Sequence, residues 1–416
     1  MKRILKFLIL NYSLLICTLC LHAQGLWTQK ASLPATGRYD GIGFSIDNFG
    51  YAGLGYNDSK TFTDFWQYNP SSNSWKKMAD FPGKGRIWPA TFVIGHKAYV
   101  ICGADSAVFN YVSECWVYDA TTNVWAQKNN FPGLARVAAF GFSIGNKGYM
   151  GTGCNSSSYF KDFWEYDTTS DTWTQKADFG GYPRCEANGF AINDTGYVCF
   201  GQDTVYQGYT DIWEYDTASN SWTQKSDYPG VPIFGSEGFV IGTNIYLGTG
   251  ATKGASNDSY EQDFWKYNVL TDKWTPQAKF IGNARTNGNT AFSIADSGYI
   301  GMGTDSIPDY YHDFYKFYPD TLTGINELSV NEKAISIYPN PTNGDFTLKV
   351  ANNRQLIGDS KIEVYNVLGE IVYEETLSPN EGKYKINLSN ATTGVYTLKV
   401  YYSADRVENC KLIIIK

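Results

Sequence analysis

An arginine recurs along this chain at intervals of about fifty residues, each time shortly before a predicted strand that contains a phenylalanine. A guanidinium group can bind a carboxylate or a sulfate through two parallel hydrogen bonds. Several arginines around one opening would therefore form an anion-binding site, and we predict them as ligand-binding residues. They are Arg38, Arg86, Arg136, Arg184 and, one place out of register, Arg285, with Ile233 at this position in the fifth copy.

A structural role is the alternative for these arginines, because an acidic residue recurs in step with them. Each arginine would then pair with such an acid and tie neighbouring repeats together. The sequence alone leaves both interpretations open. The acids are Asp64, Asp162, Asp211, Asp263 and Asp313.

Two glutamates, Glu186 and Glu237, stand near the arginine column at positions that do not repeat. A residue that breaks an internal pattern is not required by the architecture of the repeat. A carboxyl group beside a substrate can give or take a proton, so these two are the acid/base candidates if the chain is an enzyme.

The arginines belong to a repeat that must position them. Its second tryptophan returns every 48 to 52 residues, and each unit reads as four short strands. A period near fifty residues with many short strands is typical of a β-propeller rather than of a helical solenoid. These tryptophans are Trp75, Trp125, Trp173, Trp222 and Trp274.

The sixth copy, DFYKFYPD at Asp313–Asp320, lacks the final W-T-Q-K strand, whereas the chain carries an orphan one at Gly25–Pro34. An N-terminal strand that completes the last sheet would close the ring and leave no open edge. The sequence therefore predicts an all-β fold with a six-bladed propeller closed by its N-terminal strand.

This pattern of a glycine-ended strand, an acid with W-x-Y-D, a spaced tryptophan, and then Pro and Arg resembles the Kelch repeat of the galactose oxidase/Kelch superfamily. The resemblance covers about residues 25–320, although the double glycine is split, as in Gly53 and Gly55. It implies that the arginines lie near the mouth of a central channel. A copper oxidase of that superfamily needs two histidines with two tyrosines and a cysteine. Only His96 and His312 remain outside the leader, so we predict no metal and no cofactor.

The segment 1–23 has a basic start, an apolar run and a small residue at a plausible cleavage site, which indicates a secretory signal peptide. No other apolar run is long enough to cross a bilayer, so we expect no integral membrane span in the mature chain. The formal net charge is −7, and an acidic chain without basic blocks is a poor nucleic-acid binder. Export to an oxidising space permits disulfides, and Cys102 with Cys115 and Cys185 with Cys199 are the local pairings we expect, with free thiols as the alternative.

The tail is separated from the repeats by a predicted linker at 321–332. Its alternating strands and turns predict a small immunoglobulin-like sandwich at 333–416. The order of its motifs resembles the type IX secretion C-terminal sorting domain (type A), which implies that an outer-membrane export machine reads this domain as an address. The motif residues are Pro339, Asn340, Pro341, Gly344, Asn366, Gly369, Gly394, Val395 and Tyr396.

The loops after the glycine-ended strands differ between copies and carry many aromatic residues, on the face that we name the loop face. Variable loops on a rigid scaffold are where binding specificity tends to lie. We therefore predict a secreted or cell-surface binding module, spanning 24–320, that contacts a protein or glycan ligand. The alternative is a carbohydrate enzyme resembling the Kelch-type sialic-acid mutarotases and epimerases, with an arginine-lined channel mouth. The sequence favours the binding module over the enzyme.

Overall fold

The computed structural model describes residues 25–105, 110–253, 259–288, 290–306, 309–319, 335–350, 360–366, 369–378, 383–403 and 406–416. Their secondary structure is strand and turn, with no helix among them, which confirms the all-β prediction. The predicted signal peptide at 1–23 and linker at 321–332 lie outside the described residues. The chain divides into two compact units, 1–321 and 322–416.

Within the described residues, the first unit contains six antiparallel four-stranded sheets, which we number in chain order. Sheets 1 to 5 each use four strands in sequence order, and the first strands of successive sheets contact one another. Sheet 1 is Ile42–Ile46, Phe49–Gly53, Phe65–Asn69 and Ser74–Lys77; sheet 2 is Ala90–Ile94, Lys97–Ile101, Cys115–Asp119 and Val124–Lys128; sheet 3 is Phe140–Ile144, Lys147–Gly151, Phe163–Asp167 and Thr172–Gln175; sheet 4 is Asn188–Ile192, Thr195–Cys199, Ile212–Asp216 and Ser221–Gln224; sheet 5 is Glu237–Ile241, Asn244–Gly248, Phe264–Asn268 and Lys273–Pro276.

Sheet 6 joins the two ends of this unit. Its inner strands are Thr290–Ile294, Ser297–Gly301 and Phe314–Tyr318, and its outermost strand is the N-terminal Leu26–Lys30. That strand pairs antiparallel along its whole length with Phe314–Tyr318, so the orphan W-T-Q-K segment occupies the place that the unfinished copy leaves vacant.

Glycine and phenylalanine set the distance between neighbouring sheets. In sheets 1, 3, 4 and 6 a glycine of the second strand lies close to a phenylalanine from the first strand of the preceding sheet. A Cβ atom at Gly148 would lie 2.1 Å from the Phe92 ring, and one at Gly298 would lie 2.0 Å from the Phe239 ring. Glycine is therefore required there, because any side chain would displace a buried ring.

An outer set of hydrogen bonds ties each sheet to the one before it. The second tryptophan of every sheet donates its indole N–H to a backbone carbonyl in the loop that leaves the preceding sheet, over 2.7 to 3.2 Å. In sheet 6 this tryptophan is Trp27, which donates to Ala278 and packs its ring against Phe264 and Phe280 of sheet 5. The repeated tryptophan column is therefore explained by a contact made at every joint.

The second unit is two antiparallel sheets that share one apolar core. Their side chains alternate between buried and exposed, as expected for sheets with one covered face. Leu348, Ile362, Leu398 and Leu412 are fully buried in this core. The three-stranded sheet is Ile335–Tyr338, Asp345–Val350 and Lys383–Asn387; the four-stranded sheet has the order Ile371–Thr376, Lys361–Tyr365, Gly394–Ser403 and Arg406–Ile414.

Replacing Trp27 tests the contribution of the N-terminal strand. Trp27 is 3% exposed, so Trp27→Ala should lower the free energy of unfolding by about 3–5 kcal/mol through a cavity and a lost hydrogen bond. The neighbouring Leu26→Ala is the matched control, because Leu26 is 61% exposed and should change stability by less than about 0.5 kcal/mol. Denaturant unfolding measures both values. Equal stability of the two variants would contradict the role given to this strand.

Candidate functional site

Each of the five predicted arginines is buried and ion-paired inside its own sheet. Arg136 is typical: its two terminal nitrogens donate to the two carboxylate oxygens of Asp162 over 2.5 and 2.9 Å. It also donates to the carbonyl of Thr152 over 3.0 Å and to that of Leu134 over 2.9 Å. The same arrangement holds Arg38 on Asp64, Arg184 on Asp211 and Arg285 on Asp313. Arg86 differs, because it donates to Glu114 through one terminal nitrogen over 2.6 Å.

Aromatic rings cover these guanidinium groups. The Phe160 ring lies 4.0 Å from the guanidinium carbon of Arg136, and the Tyr209 ring lies at the same distance from that of Arg184. All five arginines are at most 1% exposed. This geometry favours the structural alternative, since each guanidinium is buried and directs most of its donors to acceptors inside the protein. Binding by these arginines stays a prediction that no observation here tests directly.

The main chain at each arginine connects it to the preceding sheet. A glycine N–H at the end of the preceding sheet's second strand donates to the arginine carbonyl, as Gly153 does to Arg184 over 2.8 Å. Two residues after each arginine the chain takes a left-handed conformation, and that residue's N–H donates to its counterpart in the preceding sheet. The six left-handed residues are Asp40, Trp88, Ala138, Glu186, Gly235 and Asn287.

These bonds form two inner rings that run from sheet to sheet. They close between sheets 6 and 1, where Gly303 donates to Arg38 over 2.9 Å and Asp40 donates to Asn287 over 2.7 Å. Among the described residues both bonds are missing at one joint, the one between sheets 4 and 5, where Ile233 replaces the arginine. Asp263, the acid of sheet 5, pairs instead with the exposed Lys279 over 2.7 Å.

Unrepeated polar side chains occupy this joint. Asn188 donates its side-chain amide to the Ser236 carbonyl over 3.0 Å, and the Ser236 hydroxyl donates back to the Asn188 side-chain oxygen. The Glu186 carboxylate accepts from the Gln202 amide over 2.8 Å. Glu237 is 2% exposed and lies against the backbone of Gly288 in sheet 6.

The first strands of the six sheets surround a cavity of about 390 Å³. Trp88, Glu186, Asn188, Ser236 and Glu237 all line it. The structure therefore brings the two predicted acid/base candidates, Glu186 and Glu237, to one cavity, which the sequence could not establish.

Asp40 adds a third carboxyl group at this end of the cavity. It is fully buried, and desolvation together with the nearby Glu186 charge raises its pKa well above the usual range, although the Trp88 indole N–H opposes the shift. Burial therefore favours the protonated form of this carboxyl group over the charged form. Sequence reasoning missed Asp40, Asn188, Ser236 and Gln202. Residue types differ between the copies at the position two residues after each arginine and in the strand that follows it. That difference is the sequence signal that could have indicated residues of this site.

Several loop aromatics serve the repeat rather than a ligand. Phe62, Phe160, Tyr209 and Tyr311 lie on the arginines. Phe109 lies outside the described residues. By contrast, Tyr182 is 72% exposed and stacks one face on Tyr209.

The motif residues of the tail fix its last strand. Asn340 donates its amide to the Lys411 carbonyl over 2.7 Å, and its side-chain oxygen accepts from the Ile413 N–H over 2.8 Å. Gly344 has a φ of 116°, and a Cβ there would lie 2.8 Å from the Leu388 carbonyl oxygen. Pro339 and Pro341 flank Asn340, Gly369 turns the chain between two strands, and Gly394 begins the strand that carries the buried Tyr396.

Removing one buried arginine should unfold the propeller more readily. Arg136→Ala leaves the Asp162 carboxylate and two carbonyls without their donor, and we expect a loss of about 3–5 kcal/mol in the free energy of unfolding. Lys279→Ala removes an exposed cation from the acid of sheet 5, and should cost less than about 1 kcal/mol. Denaturant unfolding measures the free energy of unfolding of both variants. A loss for Arg136→Ala as small as that for Lys279→Ala would contradict the structural role.

The same pairs should make stability depend on acid. Burial alone would raise the pKa of Asp64, but hydrogen bonds and charge from Arg38 lower it below the usual range, and Glu114 beside Arg86 behaves likewise. A pKa lowered by folding stabilises the protein above the unfolded value and loses that effect as the pH falls through the folded value. The melting temperature should therefore hold from pH 7 to 5 and fall below about pH 4. Asp64→Asn should have a lower melting temperature than the wild type at pH 7, and its melting temperature should fall less on acidification. An equal fall in both proteins would contradict this expectation.

Two family descriptions match the chain. The KLHDC2/KLHL20/DRC7 Kelch-repeats domain matches residues 55–250, and the secretion system C-terminal sorting domain matches residues 336–416. The solved structure of YjhT superposes with a TM-score of 0.60 at 16% identity, covering 68% of this chain and 95% of that one.

Curated relatives match over shorter stretches. Ulvan lyase NLR42 of Nonlabens ulvanivorans is 35% identical over 91 residues, which is 21% of this chain and 16% of that protein. N-acetylneuraminate epimerase of Shigella flexneri serotype 5b is 34% identical over 89 residues, 20% of this chain and 24% of that protein, and the Escherichia coli K12 epimerase gives the same values. The chain thus spans at most about a quarter of these relatives. With the fold and both domain matches in hand, residues 55–250 carry Kelch repeats in a β-propeller fold, and residues 336–416 form a C-terminal sorting domain, which indicates type IX secretion to the cell surface or exterior.

Proposed function

We propose that this protein is a secreted or cell-surface binding module that holds a glycan at the mouth of its central cavity. The observation that carries the proposal is the convergence of unrepeated polar side chains on one joint. Glu186, Asn188, Ser236 and Glu237 all line one cavity, and Asn188 and Ser236 hydrogen-bond each other at the joint where both inner hydrogen bonds are missing among the described residues. Residues that the repeat does not require, at a concave site of suitable volume, are typical of ligand binding.

The charge of the site indicates which class of glycan it would bind. Glu186 and Glu237 bring two carboxyl groups to the cavity lining, with the buried Asp40 near Glu186, whereas the five arginines direct their donors into their own sheets. A carboxylate or sulfate would meet like charge there without a compensating cation, which costs free energy. A neutral sugar is favoured instead, because its hydroxyls can donate to carboxylates and to the Asn188 side-chain oxygen. The exposed ring of Tyr182 on the loop face adds a surface on which a sugar ring can stack.

The proposal assumes a particular architecture and export route for the chain. We treat the six sheets as the blades of one closed propeller at 24–320, clasped by the N-terminal strand, with a linker at 321–332 and an immunoglobulin-like sorting domain at 333–416. The closing bonds between Gly303 and Arg38 and between Asp40 and Asn287 support closure. The predicted signal peptide would deliver the chain to the periplasm, and the sorting domain would then engage the type IX machinery.

A glycan array tests the proposal on the purified protein. Neutral oligosaccharides should bind, and Glu186→Ala or Glu237→Ala should each weaken binding by about tenfold or more, the loss of one hydrogen bond to a charged group. Asp227→Asn is the matched control, because it removes an exposed carboxylate outside the cavity lining and should leave binding unchanged. If no glycan binds, or if both cavity variants bind like the wild type, the proposal is wrong, and a protein partner of the loop face becomes the one to seek.

A sugar mutarotase or epimerase is the second candidate. The observation in its favour is that Asp40, whose pKa is raised by burial and by the Glu186 charge, lies near Glu186. Two neighbouring carboxyl groups that differ in proton affinity can act as the acid and the base that open and close a sugar ring. N-acetylneuraminate epimerases are among the distant relatives. The arginine-lined mouth that the sequence suggested is not part of this candidate, since those side chains are internally paired.

Exchange of anomers measured by NMR separates the enzyme from the binding module. An enzyme should accelerate the exchange of a reducing sugar above the spontaneous rate, and Glu186→Gln should remove most of that acceleration. Asp227→Asn should retain it. A spontaneous rate with the wild-type protein, across sugars that bind, would exclude this candidate.

A further inference from the structure

The joint between sheets 3 and 4 carries a pair of cysteines, Cys154 and Cys185. Cys154 follows Gly153, and Cys185 follows Arg184, and the backbone hydrogen bond from Gly153 to Arg184 is 2.8 Å long. This bond places the next residue of each strand side by side. The Cys154 thiol and the Tyr159 hydroxyl are both close enough to the Cys185 thiol to shift its pKa.

Other joints show what normally occupies these two positions. Between sheets 2 and 3 the equivalent residues are Ala104 and Val137, which belong to one buried apolar cluster. Between sheets 1 and 2 they are Tyr56 and Ile87, which join the same cluster. A free cysteine can fill such a position as a small apolar residue. Two cysteines at one joint, however, can be oxidised to a disulfide, which alanine and valine cannot form.

We propose that Cys154 and Cys185 form a disulfide that links sheet 3 to sheet 4 in the exported protein. Both sulfurs are reduced in the structure, but type IX export takes the chain out of the reducing cytoplasm. The reaction is thiol–disulfide exchange with a disulfide donor of the export compartment. The two cysteines lose two electrons and two protons and form one S–S bond, and the donor disulfide is reduced to two thiols.

The difference in exposure between the two thiols determines which of them reacts first with the donor disulfide. Cys154 is partly exposed, so its thiolate can reach the donor and displace one donor sulfur. Cys185 is buried, and its contact with Cys154, desolvation and the Glu186 charge raise the pKa of its thiol. It therefore attacks second, on the Cys154 sulfur, once the mixed disulfide is held beside it.

The pairing differs from the local ones predicted from the sequence. Cys199 lies across from Asn188 in the strand register, three positions from Gln202, the cross-strand partner of Cys185. Cys102 and Cys115 are fully buried, and desolvation raises the pKa of the first thiol to about 12 and that of the second above it. Neither is accessible to a donor in the folded protein, so we expect both to remain thiols.

The link would act next to the candidate site. Cys185 directly precedes Glu186, and the joint on the other side of sheet 4 lacks both inner hydrogen bonds. A covalent bond at the 3–4 joint would hold this segment in place while the 4–5 joint stays open for a ligand. The inference rests on export and on the thiol contact, and does not depend on the proposed function.

Differential alkylation tests the disulfide on protein purified from the exporting cells. The protein is denatured in N-ethylmaleimide, reduced, and then labelled with iodoacetamide before peptide mass spectrometry. Cys154 and Cys185 should carry the second label, and Cys102, Cys115 and Cys199 should carry the first. N-ethylmaleimide on Cys154 and Cys185, or the second label on Cys199, would overturn the proposal.

A reductant titration gives a second readout. Reduction should lower the melting temperature of the wild type by about 5 °C, because the bond closes a loop of about thirty residues. Cys154→Ser should melt lower than the wild type without reductant and should not respond to it. Cys410→Ser is the control and should respond as the wild type does. A wild-type melting temperature that is insensitive to reductant would contradict the proposal.

Discussion

The buried arginine is the interaction on which the propeller depends, because it bonds in two directions at once. Its side chain reaches into its own sheet, where Arg136 holds the Asp162 carboxylate and the Thr152 carbonyl. Its carbonyl accepts from the preceding sheet, and the residue two places later continues the second inner ring. A guanidinium group suits this task because its five donors have fixed directions and it stays charged when buried. A buried ion pair is weak evidence for net stability, so its contribution here is the precise placement of one sheet against the next.

The exception to this constraint coincides with the candidate site. Where Ile233 stands in place of the arginine, both inner bonds of the joint between sheets 4 and 5 are absent among the described residues, yet the outer bond from Trp274 to Ser226 is intact. At the cavity, side-chain hydrogen bonds between Asn188 and Ser236 connect this joint in place of the main-chain bonds. Polar side chains with unrepeated identities fill this part of the joint. A repeat protein can acquire a specific site in this way without weakening the rest of the ring.

The sequence predicted the features that repeat and some that break the repeat. The tryptophan period and the orphan W-T-Q-K segment were sufficient to predict the propeller and the pairing of its two ends, because both depend on local strand patterns. Glu186 and Glu237 could be singled out because they interrupt a pattern. The burial of the arginine side chains could not be predicted from the sequence. A recurring arginine with a recurring acid is consistent both with residues at a channel rim and with a buried ion pair. The contact between Cys154 and Cys185 was missed for a related reason: it joins two sheets, whereas strand patterns indicate neighbours within one sheet.

For the proposed function, the burial of the arginines favours a neutral ligand over an anion at this site. An arginine ring was expected to make the channel mouth positive, but each guanidinium charge is offset by a carboxylate within 2.6 Å and covered by an aromatic ring. The carboxyl groups that line the cavity belong to Glu186 and Glu237, and burial raises the pKa of the nearby Asp40. Carboxylates in a partly dehydrated cavity attract hydroxyl donors more strongly than they would in water, because the local dielectric is lower. The same low dielectric penalises an acidic sugar, so the pairing that stabilises the ring also determines which ligands the cavity can accept.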